Sequence, residues 1–143
     1  MEQEEQQEKQ LIANRIQTPD GTILWSRHRH DFVSYKDSIS EETYFIDGGN
    51  DYMRISVNNE PAKNLSVYDD EPWETQRMYR LWGSRGMWIP VSCLSNEHLE
   101  NIINDGYNNK GIRMEYKYRN ENNIVIPEHN YEDEQVYAIT PKE

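Results

Sequence analysis

The sequence predicts an α+β fold: an N-terminal antiparallel β-meander, then two or three short helices and a C-terminal extension. Three observations point there. Before residue 60, β-branched and aromatic segments alternate with turn signals. After residue 70, capped segments carry apolar residues three and four apart. The 143 residues include 4 Trp, 10 Tyr and 2 Phe, although only 35% are hydrophobic. Each aromatic buries ~150–250 Å² when enclosed. That supports a core despite a mean hydropathy of −1.06. The length suits one domain, 1–143, with an acidic N-terminal segment at 1–10 and an acidic extension at 121–143.

Residues 1–10 read as a solvated helical start or tail, because no apolar stripe precedes Leu11 and Ile12. Thr18-Pro19-Asp20-Gly21 is a turn. ILWSR at 23–27, DFVSYK at 31–36 and TYFI at 43–46 read as strands. Asp47-Gly48-Gly49-Asn50 turns the chain into DYMRISV, a fourth strand or short helix start. Asp70 and Pro72 suit the entry of a helix running through WETQRMYRLW, and Gly83 suits its stop. MWIPV at 87–91 reads as extended. Ser95 suits the cap of NEHLENIIN, with Leu99, Ile102 and Ile103 inward and Asp105-Gly106 as the break. IRMEYKYR at 112–119 is a third helix, and IVIP and VYAI are short strands of the extension.

Charge and cysteine content exclude several functions. There are 26 acids against 15 bases, a net charge of −11, and a pI near 4.8. No nucleic-acid polymer is expected as a partner, because phosphate tracking needs clustered Lys and Arg. No apolar run reaches the ~20 residues of a membrane helix, so no membrane is expected. The acidic, polar start reads as neither secretory signal nor transit peptide. The single cysteine, Cys93, excludes an internal disulfide framework and suits a reducing cytoplasm. The acidity is uneven, however. Residues 1–10 carry −3 and residues 128–143 carry −4, leaving −4 for residues 11–127. Three basic, aromatic-laced segments lie in that middle stretch, which suits a small phosphorylated anion better than a long polyanion.

The first segment is Ser26 to Asp31. If extended, it places Arg27 and Arg29 on one face and His28 and His30 on the other. Guanidinium and imidazole donors suit phosphate. The competing reading is a solvated strand whose arginines pair with carboxylates. A metal-hydrolase pattern would need an Asp two residues after the second His, and Asp31 follows His30 directly. The second segment, Arg77 to Trp88, holds three arginines and no acid. Trp82 could stack a base, beside Arg85 between flexible glycines. Alternatively, Trp82 and Trp88 are core residues. No Walker A or Rossmann motif occurs. The third segment, Lys110 to Arg119, puts Arg113 and Lys117 four apart with Tyr116 between them. Its competing reading is a solvated face with an internal Glu115–Arg119 pair. Cys93 is assigned to packing. The acidic stretches at 47–51 and 69–71 lack calcium-loop spacing and read as turn and cap residues, so no metal and no cofactor are expected.

The ordered motifs TPDGT, SRHRHD, DGG-x-DY and WG-x-RG, followed by LSNEHLENII and YKYR, resemble a family of small proteins encoded by tailed phages and prophages. Within that group the chain is similar to the first anti-Thoeris (Thoeris anti-defence) sponge proteins. The resemblance covers residues 17–119. The two ends fall outside it, and the segment between Gly86 and Val91 is shorter than the family's, which bears on the pocket lip. The resemblance implies an α+β homo-oligomer with pockets between subunits. It also implies a non-enzymatic phage protein, working in the cytoplasm of the infected bacterium, that sequesters cyclic ADP-ribose isomers and, in some members, cyclic oligonucleotides of CBASS defence. The implied ligand-binding residues are Trp82, Arg85 and Arg113, joined by Arg27, His28 and Arg29. The alternative function is an acidic phage protein that inhibits a host protein by direct binding or nucleic-acid mimicry. A hydrolase using His28 and His30 is the third reading.

Overall fold

The computed structural model describes residues 10–48 and 62–140. The acidic start, the expected strand or short helix start at 51–57 and the second half of the 47–50 turn lie outside the described residues. The class is α+β, with antiparallel strands first and helices after.

Strand β1 (Leu11–Gln17) lies inside the main sheet, and its sequence, LIANRIQ, did not announce it. It pairs antiparallel with β2 (Ile23–Ser26), with β5 (Lys63–Asn64) and with β6 (Val67–Tyr68). Polar Asn14 and Arg15 interrupt its apolar pattern. The partners that satisfy its backbone all follow it in the chain, β2 on one side and β5 and β6 on the other. The 18–21 turn is as expected: the Gly21 N–H reaches the Thr18 carbonyl at 2.9 Å, with Gly21 at φ +96°.

The second hairpin joins β3 (Phe32–Lys36) to β4 (Thr43–Asp47). Its inner face carries Val33, Tyr44 and Ile46, which pack on Ile16 and Leu24. Its outer face carries Phe32 and Phe45, stacked at 5.7 Å. The turn after β4 passes so close to the first hairpin that a Cβ on Gly48 would strike the His28 carbonyl oxygen.

The expected long helix from 72 to 82 is corrected. Helix α1 covers only Trp73–Gln76, and its N-cap is Pro72, with no side-chain cap from Asp70. The chain then enters β7 (Leu81–Ser84), which pairs with β8 (Met87–Pro90). Arg85 and Gly86 have φ of +52° and +79°. Positive φ at both central residues marks the turn whose twist suits a two-residue hairpin. Gly83 is therefore a strand residue and not a helix stop. A Cβ there would sit 3.2 Å from the Trp88 ring. The three- and four-residue spacing of Arg77, Arg80 and Leu81 imitated a helix, but tertiary pairing overrode it.

Helix α2 (Asn96–Asn104) is as expected, with the Ser95 hydroxyl accepting the His98 N–H at 3.1 Å. Helix α3 runs Lys110–Asn122, longer than expected at both ends, capped by Asn109 and closed by Asn123 at φ +54°. The residues after it are not a loose extension. Asn96 exchanges hydrogen bonds of 2.8 Å with the Ile126 backbone, so IVIP is an anchored loop and not a strand. The Val136 N–H reaches the Trp88 carbonyl at 2.8 Å, and β9 (Ile139–Thr140) pairs with β2. This arm crosses both halves. The helical half has its own core of Ile89, Val91, Leu94, Leu99, Ile102 and Ile112. Among the described residues, no helix is long and apolar enough to cross a membrane.

Candidate functional site

The residues singled out from the sequence do not converge on one pocket. Ser26 to Asp31 is not extended beyond Ser26. The Asp31 N–H turns back to the His28 carbonyl at 3.2 Å, and His30 adopts φ +68°. The face-sharing expected of His28 and His30 therefore does not occur. His28 instead stacks on Trp88, with ring centroids 5.0 Å apart and planes at 22°. Arg29 is exposed. Arg27 gives its backbone N–H and its Nε to Asp31 Oδ2, at 2.8 and 3.0 Å. Trp82 is half-buried in β7, packs on the helical core and meets Tyr107 edge-on at 5.7 Å. Arg85 is the hairpin tip. Arg113 and Tyr116 are exposed on α3. The expected Glu115–Arg119 pair forms at 2.7 Å, but it is buried rather than solvated.

A cleft of about 230 Å³ brings Arg27 together with Arg80, Leu81, Asn109 and Gly111. The start of α3 supplies its floor. Asn109 Oδ1 takes the Ile112 N–H at 3.0 Å, and helix geometry leaves the preceding first-turn amides without intrahelical acceptors. Arg80 lies across that turn. A Cβ on Gly111 would sit 3.2 Å from Arg80 Cδ, so a larger residue there would press on the Arg80 side chain. Arg80 Nε donates to Gln76 Oε1 at 3.2 Å, and its guanidinium rests over Trp73 at 5.6 Å. Among the described residues, no carboxylate stands within ion-pair distance of Arg80. Burial lowers its pKa, and Asp69 only partly opposes that. The cleft thus presents one cation paired to Asp31 and one with no ion pair among the described residues, beside the start of α3. Such a set suits an anion with several oxygens.

A second cleft, of about 290 Å³, lies between Arg85, the first turns of α2 and the arm at Glu128–Tyr131. His98 Nδ1 is 3.0 Å from Tyr131 Oη. Tyr131 Oη also takes the Ser95 N–H at 2.7 Å and donates to Ser95 Oγ at 3.2 Å. Burial and the nearby Arg85 charge push the His98 pKa down. The contact with Glu128 pushes the Glu97 pKa up. His129 bonds the Cys93 carbonyl. Cys93 packs on the helical core, and burial raises its thiol pKa.

Sequence reasoning placed Arg80 in the acid-free run but not in the site. It passed over Asn109, Gly111, Glu97, His98 and Glu128. Asn109 carried a readable cap signal before Ile112. The others become site residues only through contacts between distant segments. Comparison with protein-family models, with curated proteins and with solved structures finds no match for this chain.

Proposed function

We propose that the protein binds and sequesters a cyclic nucleotide immune signal without cleaving it, as a phage anti-defence protein acting in the host cytoplasm. The observation that carries this reading is the pairing of Arg27 and Arg80 over the α3 start, in a chain whose overall charge repels polyanions. The phosphates would lie against the two guanidiniums and the first-turn amides. Tyr107, 59% exposed and two residues before Asn109, would offer aromatic surface to the base beyond the cleft itself. The cleft is smaller than the ~300–1,000 Å³ of a typical ligand pocket. It would hold the phosphate end, and a second copy of the chain in a homo-oligomer would close over the rest.

Protein purified from cells making the signal is heated, and the supernatant is read by ultraviolet absorbance and mass spectrometry. An intact cyclic nucleotide is the expected release. Calorimetry with cyclic ADP-ribose isomers should give saturable binding. Arg80→Ala should weaken it about 10- to 100-fold, the worth of one charge-assisted phosphate contact. An empty supernatant, with no calorimetric signal, would exclude the reading. A hydrolysed nucleotide would replace it with the hydrolase.

A further inference from the structure

Helix α3 presents a cationic face that neither cleft uses. Lys110, Arg113 and Lys117 recur at three- and four-residue spacing, on the side away from the buried Ile112, Glu115 and Arg119. All three are exposed, and among the described residues none of them makes an ion pair. Arg113, which the resemblance implies as a ligand residue, lines neither cleft.

This face is electrostatically unfavourable as it stands. Arg113 and Lys117 are like charges four residues apart, an arrangement that destabilises a helix. The first turn of α3 carries Lys110 and no acid, although the positive end of the helix dipole favours carboxylates. Carboxylates brought to the face from elsewhere in the chain relieve both costs.

The segment 1–9 can supply them. It holds Glu2, Glu4, Glu5 and Glu8 against Lys9. It joins the described fold at Gln10, whose backbone is tied twice to Asp69. The Gln10 N–H reaches Asp69 Oδ1 at 3.0 Å, and the Asp69 N–H reaches the Gln10 carbonyl at 2.9 Å. Gln10 lines the same cleft as Asn109 and Gly111, the two neighbours of Lys110. The segment is therefore anchored beside the start of α3. From Lys110 to Lys117 the helix rises only about 10 Å, and a chain of this length can extend to ~30 Å. Tethering gives the acids an effective concentration in the millimolar range, which offsets the weakness of each exposed ion pair. The acidic arm near Tyr131 is held elsewhere, since Tyr131 bonds Ser95 and His98 at the start of α2.

We propose that the Lys110, Arg113 and Lys117 face of α3 is the docking surface for the chain's own acidic segment 1–9, held by pairing of its carboxylates with the three cations. Such docking is independent of what the Arg27–Arg80 cleft takes.

The test places a nitroxide at residue 3 of the full chain and reads ¹⁵N amide line broadening. Gln3→Cys leaves every acid of the segment in place, and Cys93→Ser removes the free native thiol. At about 0.01 M salt the Debye length is ~30 Å, and at about 1 M it is ~3 Å. Broadening at Arg113 and Lys117 should fall at least about twofold between the two. Lys110, Arg113 and Lys117 changed together to Gln should give the same fall at low salt. Spin-labelled ¹⁴N chain mixed with unlabelled ¹⁵N chain should show no broadening. Broadening that ignores salt, or that survives in the triple variant, would overturn the docking. Broadening in the mixture would assign the face to a second copy and overturn it equally. No nucleotide enters the experiment, so this result and that for the cyclic nucleotide fall separately.

Discussion

The two halves of the molecule bury carboxylates in opposite ways. In the β half, Asp20 and Asp37 tie the β1–β2 turn to the β3–β4 turn using neutral donors alone. Asp20 accepts from Tyr35 Oη at 2.6 Å, Ser38 N and Oγ at 2.9 Å each, Thr22 N at 3.0 Å and Thr18 Oγ1 at 2.9 Å. Asp37 accepts the backbone N–H groups of Asp20, Ile39 and Ser40 at 2.7–3.0 Å. In the helical half, Glu115 is fully buried between two cations. Arg77 reaches it at 2.9 and 2.6 Å and Arg119 at 2.7 Å, and the Trp73 indole adds 3.1 Å. Arg119 continues to Asn96 Oδ1 and the Val91 carbonyl at 2.8 and 3.0 Å. One centre fixes two neighbouring turns. The other joins α1, α3, the Val91–Cys93 turn and the start of α2, and so builds the scaffold that carries both clefts.

The largest expected effect follows from Glu115. Glu115→Ala strands the buried Arg119 guanidinium and the part-buried Arg77 one, and breaking a buried pair typically costs about 3–5 kcal/mol. Urea unfolding should show a lowered midpoint of that order, with loss of the α3-dependent clefts. Glu115→Gln keeps the volume and some acceptor capacity, so it should fall between Ala and wild type. A loss below about 1 kcal/mol in Glu115→Ala would break the comparison, because the helical half would then hold without its ion network.

How much was legible divides along the same line. The Asp20 turn is local: Pro-Asp-Gly spells it, and the flanking strands follow from their alternation. The i,i+4 Glu115–Arg119 pair is also local and was read correctly as a pair. Its burial was not legible, because that depends on Arg77, 38 residues upstream, and Trp73, 42 residues upstream. The same limit hid β1, whose partners include residues some 50 positions away. The site suffered most. Arg27 and Arg80 meet only because β2 ends beside the α3 start, and no sequence spacing encodes that approach. Arg85-Gly86, by contrast, was readable as a hairpin turn, and the helical spacing of its neighbours masked it.

A smaller effect, and one that depends on acid, is expected from Asp20. Burial alone would raise the pKa of Asp20. The hydrogen bonds from Tyr35, Ser38 and Thr22 outweigh it and hold the carboxyl well below its usual range. Asp37 is likewise lowered, by the amides of Ser40 and Asp20 against burial. A depressed folded pKa gives stability that is complete above the unfolded value, about 3.9. That stability is lost as pH falls through the folded value. Stability should therefore decline below about pH 4, and Asp20→Asn should flatten that acid limb. At neutral pH the same variant should lose about 1–3 kcal/mol, from weakened bonds to a former carboxylate. Tyr35 shifts the other way: its bond to Asp20 raises the phenol pKa. That contribution holds below about pH 10, the unfolded value, and is lost as pH rises through the folded one. An acid limb unchanged in Asp20→Asn would remove the neutral-donor half of the contrast.

The smallest effect sharpens the contrast most directly. Trp73→Phe removes a single neutral donor from Glu115 and leaves both arginines in place. It also keeps an aromatic face under the Arg80 guanidinium, 5.6 Å away. If the ion network carries the helical half, losing the indole N–H should cost only about 0.5–1.5 kcal/mol, the net worth of one ordinary hydrogen bond. A double-mutant cycle between Trp73→Phe and Arg77→Met then reads their coupling through the shared Glu115 Oε1. Both groups donate to that oxygen, at 3.1 and 2.9 Å. The two substitutions should be non-additive by about 0.5 kcal/mol or more. Strict additivity would mean that Glu115 is held by independent contacts, and the helical centre would then differ from the Asp20 centre in charge alone.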